Sequence, residues 1–384
     1  MHIRSNIHYA LIQALFWSAY CTGTGYMASC LLSIGYNNTG VGIAIALSGA
    51  GAVLAQSLLS GVIDRSGKKL LKPVILICVI TSIVLSLVEL LFPTDKIIIG
   101  ICYGVNVASL QFLVPLINSM SICGRGEINF GIGRAAGSFV FAFAAVFVGE
   151  MVTIHGMGAL SVIRSIAFAA FVICVLIFPI DYSEPVTGIK QKEEGFFRRN
   201  PGFAAIMAGC ILVYFCQTLL NNNAYQVIVS KGGDNVSHGT ALAIAALIEV
   251  PVMLSFQKLL KIKSPSFWFA LSGFGYAVKA FAFLAAPNVT LYFVAQIAQL
   301  VGWPLMQVAS VAYVRTITTD RDTTRGQAYI TLTYSIALIV GSPLGGLLLQ
   351  HLGVPVMLVA AGICSIAGGT IMLAGILKRN RFAV

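Results

Sequence analysis

Long apolar runs alternate with short polar intervals over the whole chain. Each run holds about 20 residues or more, the length that an α-helix needs to cross a bilayer. Continuous apolar runs predict helices, because the strands of a membrane β-barrel alternate apolar and polar residues instead. The runs lie at about 7–34, 40–63, 72–93, 97–121, 130–155, 157–181, 202–228, 238–260, 264–286, 288–314, 326–350 and 354–377.

The longest polar interval, residues 182–201, divides these twelve runs into six and six. Two repeated halves with a substrate site between them are typical of secondary transporters. The pattern therefore predicts an all-α integral membrane fold of twelve transmembrane helices in two pseudo-symmetric six-helix halves. We expect one half at 1–181, a cytoplasmic central loop at 182–201 and the other half at 202–384.

Composition supports a membrane protein and excludes several other classes. Of the 384 residues, 58% are hydrophobic and 10% are charged, whereas soluble chains have about 45–50% apolar and about 25% charged residues. Soluble enzymes, nucleic-acid-binding domains and disordered proteins are thereby excluded. The nine cysteines lie almost all in apolar runs, so we expect small apolar side chains there and neither disulfides nor a metal site.

The net charge of +11 is explained by topology. Most of the 24 Lys and Arg residues fall on the side of the membrane that holds the N-terminus. Positive charge collects in cytoplasmic loops, so we expect a multi-pass cell-membrane protein with both termini in the cytoplasm. The cations then face membrane lipid, and no nucleic-acid partner is implied.

A polar loop between the second and third runs reads SGVIDRSGKK over residues 60–69. It resembles the loop signature of the major facilitator superfamily, G-x-x-x-D-R/K-x-G-R/K-K/R, with Ser60 at the first glycine position. The resemblance implies a charged loop that stabilises one conformation of the two halves. The residues that match the signature are Asp64, Arg65, Gly67 and Lys68.

Three further segments resemble the lactose-permease-like branch of that superfamily, which holds oligosaccharide, nucleoside and aromatic-acid proton symporters. They read NFGIGRAAG at 129–137, EVPVM at 249–253 and YAVK at 276–279. The resemblance implies that Arg134 binds substrate hydroxyls and that Glu249 joins substrate recognition to protonation. Lys279 matches the position of the helix-9 arginine that takes part in proton coupling in this branch. It keeps the positive charge, but a lysine cannot form the bidentate hydrogen bonds of an arginine.

The chain departs from the branch at its usual proton carriers. The helix-10 His and Glu positions hold Gln299 and Gly302, and acidic positions of helices 7 and 4 hold Asn221 and Asn118. Amides bind hydroxyl-rich solutes, and aromatic faces stack on rings. The substrate-binding residues that we expect are Arg134, Asn118, Asn221, Gln299, Trp303 and Trp17.

Charged residues inside the apolar runs indicate functional or paired side chains, because inserting a charge near the bilayer centre costs at least about 2.5–3.5 kcal/mol of free energy. Glu249 and Lys279 lie on consecutive runs at depths that differ by about 6 Å, so a direct pair is expected. Protonation of Glu249 would release Lys279, which makes the pair a coupling switch; a static structural ion pair is the alternative. We also expect a hairpin salt bridge between Glu150 and Arg164, and an interfacial position for Glu89.

The sequence thus favours a proton-coupled secondary transporter that moves a sugar or similar polar small solute by alternating access. Alternatives on the same fold are a drug/proton exporter, an aromatic-acid symporter and an uncoupled uniporter. No enzyme motif is found, and no cofactor is expected, because the proton gradient supplies the energy. We expect a monomer whose partners are the substrate, protons and membrane lipid.

Overall fold

A computed structural model gives the fold of the chain as almost entirely helical. The described residues are 2–66, 68–124, 128–180, 196–200, 202–318 and 320–382. Within these ranges the only extended pairing is an isolated bridge between Gly124 and Ile180. The all-helical fold class expected from the apolar runs is confirmed.

The helices follow the predicted runs. The first part of the chain forms α1 (His2–Tyr20), a π-helical turn (Cys21–Gly25), α2 (Met27–Ser33), α3 (Asn38–Arg65), α4 (Leu71–Leu91), α5 (Lys96–Cys123), α6 (Phe130–His155) and α7 (Gly158–Ile177). The second part forms α8 (Phe196–Arg199), α9 (Phe203–Asn222), α10 (Ala224–Ser230), α11 (Asn235–Leu259), α12 (Pro265–Ala285), α13 (Val289–Ala295), a 3-10 segment (Gln296–Val301), α14 (Trp303–Ile317) and α15 (Asp320–Phe382).

Among the described residues, ten helical segments are long and apolar enough to cross a membrane. One of them, Arg325–Lys378, contains two helices, because Gly353 has a φ of 79° and interrupts the helical backbone. The segment formed by α1, the π-helical turn and α2 precedes these ten. The helices are therefore compatible with the twelve expected spans.

The described helices form two compact units. Unit 1 consists of Met1–Asn37, Leu47–Lys190 and Asn235–Ala246, and unit 2 consists of Asn38–Ala46, Gln191–Asp234 and Leu247–Val384. Compared with the predicted halves, the start of α3 belongs to unit 2 and the start of α11 belongs to unit 1. Of the predicted central loop, residues 182–195 and 201 lie outside the described residues.

Close backbone contacts explain where these two helix starts belong. In unit 2, a Cβ added to Gly42 of α3 would collide with the carbonyl oxygen of Ser342 on α15. In unit 1, a Cβ added to Gly239 of α11 would collide with the carbonyl oxygen of Ala145 on α6. Only glycine permits such approaches, so each start is packed against its unit by a residue that has no side chain.

Each unit has its own packed interior. In unit 1, α1 packs against α6 and α7, and α4 packs against α5 and α7. Phe16, Val79, Leu113 and Phe168 belong to one buried apolar cluster there. In unit 2, α9 and α12 pack against α15, and α12 also packs against α14. This packing places α12 beside the interrupted span formed by α13, the 3-10 segment and α14.

Two lysines on the less basic side of the predicted topology bind helix ends. Lys96 Nζ donates to the carbonyl oxygen of Gly35 at 2.6 Å, just after α2. Lys231 Nζ donates to the carbonyl oxygen of Ala286, the residue that ends α12. Cations stabilise helix C-termini, where carbonyl groups lack partners, so both lysines have a local structural role.

Candidate functional site

The two charged residues expected to pair in unit 2 are joined through an amide. Lys279 Nζ donates to Gln299 Oε1 at 2.6 Å, and Gln299 Nε2 donates to Glu249 Oε1 at 3.2 Å. Lys279 and Gln299 are both 2% exposed, and Glu249 is half-buried. The direct contact expected between Glu249 and Lys279 is thereby corrected, because the side chain of Gln299 connects the two charges.

The polarity of this amide matches an ionised Glu249 and a protonated Lys279. A carbonyl oxygen accepts from an ammonium group, and an amide N–H donates to a carboxylate. Both hydrogen bonds are charge-assisted, which makes each roughly twice as strong as a neutral one. Lys279 Nζ also lies 5.2 Å from the ring centroid of Phe283. The structure thus uses Gln299 within the charged group, a different setting from the substrate contact expected from sequence.

Gln299 lies where its span is interrupted. The span begins as α13, continues as the 3-10 segment and restarts as α14 after Gly302, whose φ and ψ are −98° and −111°. Pro304 lies in the first turn of α14, where its missing N–H costs no intrahelical hydrogen bond. The Gly-Trp-Pro sequence at 302–304 indicates such an interruption, whereas the apolar pattern alone predicts one continuous helix.

Helix α12 contacts the interruption with one face. A Cβ added to Gly275 would collide with the carbonyl oxygen of Val301, so the two backbones touch there. The ring of Tyr276 lies against Gly302, 3.6 Å from the Cβ position of that glycine. Lys279 follows Gly275 by four residues and thus lies on the same face of α12. The site therefore combines a buried cation with a backbone break.

In unit 1, three of the predicted binding residues form one cluster. The guanidinium carbon of Arg134 lies 4.1 Å from the ring centroid of Trp17. Trp17 Nε1 donates to Gln13 Oε1 at 2.8 Å, and Gln13 Nε2 lies 3.4 Å from Asn118 Oδ1. Gln13 Nε2 also donates to the Tyr9 hydroxyl at 2.6 Å. A cation, an indole and amides from α1, α5 and α6 are thereby brought together.

The sequence pattern did not predict Gln13 as a site residue, although its position indicates one. It precedes Trp17 by four residues and therefore lies on the same face of α1. It is fully buried, and a buried amide needs hydrogen-bond partners. Arg134 additionally donates from Nη1 to Ser138 Oγ at 2.8 Å, which directs its guanidinium along α6.

The other predicted binding residues, Trp303 and Asn221, belong to unit 2. Trp303 contacts Tyr214 and Tyr334 with ring centroids 6.4 Å and 5.6 Å away. Tyr214 and Tyr334 also contact each other at 5.4 Å, nearly perpendicular. Asn221 is exposed and lies seven residues after Tyr214 on α9. Trp303 is therefore part of an aromatic group, and Asn221 lies about two turns away from it.

Arg164 pairs with Glu89 in unit 1, and this corrects the partner expected for Arg164. The pair is buried, with side chains 0% and 4% exposed, so Glu89 faces the packed interior of unit 1, and the interfacial depth expected for it stays a prediction. Glu150, the partner expected for Arg164, is exposed on α6. Arg164 lies on the buried face of α7, which packs against α4, the helix of Glu89.

The carboxylate of Glu89 has three side-chain donors. Asn106 Nδ2 donates to Oε1 at 2.9 Å, Ser161 Oγ donates to Oε2 at 2.5 Å, and Arg164 Nη2 donates to Oε2. Arg164 Nε also donates to Ser86 Oγ at 2.7 Å. Sequence pattern identified the charges but not this arrangement, because the hydrogen bonds connect α4, α5 and α7.

The loop that resembles the superfamily signature is only partly described. Asp64 and Arg65 end α3, and Arg65 is exposed. The side chain of Asp64 and the whole of Gly67 lie outside the described residues. Lys68 has a φ of 63°, and its N–H donates to the carbonyl oxygen of Ile63 at 3.1 Å. The backbone therefore turns sharply at the position where the signature expects a turn.

A protein-family model matches most of the chain. The model of the MFS_1-like family matches residues 7–358. No curated protein matches the chain.

Within the described ranges, no group of three or more His, Cys, Asp or Glu side chains could hold a metal ion.

Three solved structures illustrate the similarity. A point mutant of the nucleoside transporter NupG has a TM-score of 0.82 at 14% identity, and the match covers 97% of this chain and 99% of that one. A bacterial homologue of the human lysosomal transporter Spinster, inward-facing and unoccupied, has 0.73 at 15%, covering 98% and 97%. A POT family transporter with 5-aminolevulinic acid has 0.75 at 12%, covering 97% and 96%.

Proposed function

Because the chain belongs to the MFS_1-like family, we propose that it is a proton-coupled secondary transporter of a sugar or similar polar small solute, working by alternating access. The family and the similar solved structures are transporters and not enzymes, and the chain is a multi-pass membrane protein of the same fold. The proposal includes a monomer in the cell membrane with both termini in the cytoplasm. The proton gradient would supply the energy without a cofactor.

The observation that carries proton coupling is the Lys279–Gln299–Glu249 group. Glu249 is the acid of this group, and Lys279 faces it through the amide of Gln299. A buried ammonium favours an ionised carboxylate nearby. A proton on Glu249 would remove the negative charge that Lys279 faces, so the two charge states differ in energy. Such a difference is what a coupling switch requires.

The substrate contact is proposed for the cluster of unit 1. Arg134 can donate two hydrogen bonds to neighbouring hydroxyls, and Asn118 can both donate and accept. Trp17 offers an aromatic edge and face for the C–H surface of a sugar ring. In unit 2, Trp303 belongs to a second aromatic group with Tyr214 and Tyr334. Both units therefore hold side chains suited to a cyclic, hydroxylated solute.

One alternative has an observation of its own. The guanidinium of Arg134 beside the ring of Trp17 would also suit an aromatic acid, whose carboxylate and ring need a cation and an aromatic neighbour. A drug/proton exporter would use the aromatic groups without Arg134, and a uniporter would use no proton. These alternatives become outcomes of the tests below.

A thermal-shift screen of the detergent-purified protein tests the substrate class. The panel holds saccharides, nucleosides, aromatic acids and lipophilic cations, because a ligand that binds the folded state raises its melting temperature. We expect a shift with a saccharide or nucleoside that is lost in Arg134→Ala and kept in Arg315→Ala, an exposed arginine of α14. A shift with aromatic acids alone, or with lipophilic cations alone, would transfer the assignment to the corresponding alternative.

Replacement of Glu249 tests the coupling. In proteoliposomes, Glu249→Gln should abolish accumulation of the identified substrate driven by a pH gradient and spare its exchange across the membrane. Glu150→Gln, which changes an exposed glutamate of α6, serves as the control and should accumulate substrate normally. Unchanged uphill uptake in Glu249→Gln would exclude the coupling role of that residue.

A further inference from the structure

The span that contains Gln299 is unusual in its middle. Six residues, Gln296–Val301, form a 3-10 segment between α13 and α14. A 3-10 helix has poorer hydrogen-bond geometry than an α-helix, and runs beyond three or four residues are uncommon. In the middle of a membrane span such a segment needs tertiary contacts to keep it from becoming α-helical. Contacts with neighbouring helices must therefore hold the segment in its 3-10 form.

Two kinds of contact hold the segment against α12. The first is steric: the carbonyl oxygen of Val301 reaches the backbone at Gly275, where any side chain would collide with it. The second is polar: Lys279, four residues along the same face, donates to the side chain of Gln299. The segment is thus attached to α12 at two points one helical turn apart.

The polar contact also reaches α11. Gln299 Nε2 donates to Glu249 Oε1, so one side chain of the 3-10 segment joins two other helices. Gln296 provides a natural comparison in the same segment. It is 4% exposed, close to the 2% of Gln299, but its Oε1 has no hydrogen-bond partner among the described residues. The connection to the charges is therefore specific to Gln299.

We propose that Gln299 is a positioning residue that transmits the charge state of Glu249 to the backbone of the 3-10 segment. The inference rests on the proposed function, since it assumes that Glu249 changes charge during transport. An amide side chain takes up no proton near neutral pH, so Gln299 can only orient. With Glu249 ionised and Lys279 protonated, both ends of the amide are held by charge-assisted hydrogen bonds.

Loss of the charge on Glu249 weakens one of these two bonds. A hydrogen bond to a neutral acceptor is about half as strong as one to a carboxylate. Gln299 is then held chiefly by Lys279, and its hydrogen bond to α11 holds the 3-10 segment less strongly. Only Gly302 separates the segment from Trp303, which begins α14 and belongs to the aromatic group in unit 2. Release of the segment would therefore allow Trp303 to move.

Hydrogen exchange of the full-length protein in detergent tests this inference without transport. We expect the amides of Gln296–Gly302 to exchange about tenfold faster in Gln299→Leu than in the wild type, because local opening of the segment becomes easier. Glu249→Gln should accelerate exchange there by a smaller factor. Gln296→Leu, the matched control, should exchange at the wild-type rate in this segment.

Gln299→His keeps the experiment decisive if Gln299→Leu fails to fold. Neutral imidazole both accepts and donates, so it should preserve the connection and the slow exchange. Wild-type protection in folded Gln299→Leu, equal acceleration in Gln296→Leu, or rapid exchange in Gln299→His would each overturn the inference. Loss of coupling in Glu249→Gln with unchanged exchange would leave the proposed function standing and remove the role of Gln299. Normal coupling in Glu249→Gln together with faster exchange would exclude only the coupling role of Glu249.

Discussion

Each unit brings together one acid and one base, and the two arrangements differ. In unit 1, Arg164 contacts Glu89 directly, and the carboxylate has further donors in Asn106 and Ser161. In unit 2, the amide of Gln299 separates Lys279 from Glu249. A direct pair with a fully hydrogen-bonded carboxylate favours one charge state strongly. A pair joined through a neutral amide can change its charge at smaller cost.

Burial strengthens the contrast. The side chain of Glu89 is 4% exposed, whereas Glu249 is half-buried. A carboxylate that loses its cation in a fully buried site has no water to replace it. The first arrangement therefore suits a structural role, and the second suits the proposed role in coupling. Arg164→Met and Lys279→Met test this difference, and Gly275→Ala tests the contact of α12 with the 3-10 segment that holds Gln299.

Arg164→Met should destabilise the folded protein by about 3–5 kcal/mol, because it leaves the buried carboxylate of Glu89 without its cation. The measurement is thermal or denaturant unfolding of the purified protein in detergent. The double variant Glu89→Leu/Arg164→Met is the control. Since it removes both charges, it should recover most of the stability. Wild-type stability in the single variant would show that unit 1 does not depend on the pair.

Gly275→Ala should lower the free energy of unfolding by about 1–3 kcal/mol. A Cβ there collides with the carbonyl oxygen of Val301, so the two backbones must separate. Gly51→Ala in α3 is the matched control: its Cβ would meet Ala108 at 3.6 Å, an ordinary contact. Ala has the higher helix propensity, so the control should be as stable as the wild type or slightly more. Equal melting temperatures for the two variants would contradict the close contact of α12 with the 3-10 segment.

Lys279→Met should change stability by less than about 1 kcal/mol, although it replaces a buried cation as Arg164→Met does. The lost hydrogen bond to Gln299 is offset because no ammonium has to be buried, and Glu249 is only half-buried. Substrate accumulation should nevertheless be lost. Unfolding curves and pH-gradient-driven uptake, measured side by side, check both parts. A loss of stability as large as that of Arg164→Met would remove the distinction between the two units.

The sequence predicted the helices well because an apolar run of spanning length has few other structures in a membrane. The boundaries near Leu71–Leu91 and Phe130–His155 differ from the predicted runs by two residues or fewer. The pattern missed the interruption at Gln296–Val301, since apolar residues continue through it. Gly302 and Pro304 indicate the interruption, because glycine and proline often end helices. A prediction based on apolar runs alone does not use these two residues to divide a helix.

Partners of the charged residues were harder to predict than helices. Glu150 and Arg164 are neighbours along the chain at a hairpin, yet the buried face of α7 turns Arg164 toward Glu89. Sequence spacing gives the depth of a side chain in the membrane but not its direction around the helix axis relative to distant helices. Gln299 shows the same difficulty: its type fitted substrate binding, and only the packing of α11 and α12 brings it between two charges.

Proton coupling by unit 2 is tested by comparing Glu89→Gln with Glu249→Gln in proteoliposomes loaded with a pH-sensitive dye. The quantity measured is the number of protons that enter per molecule of the substrate identified by thermal shift. We predict that Glu89→Gln lowers the melting temperature but keeps the wild-type proton ratio, and that Glu249→Gln moves substrate without protons. A normal proton ratio in Glu249→Gln, or its loss in folded Glu89→Gln, would contradict the assignment of coupling to unit 2.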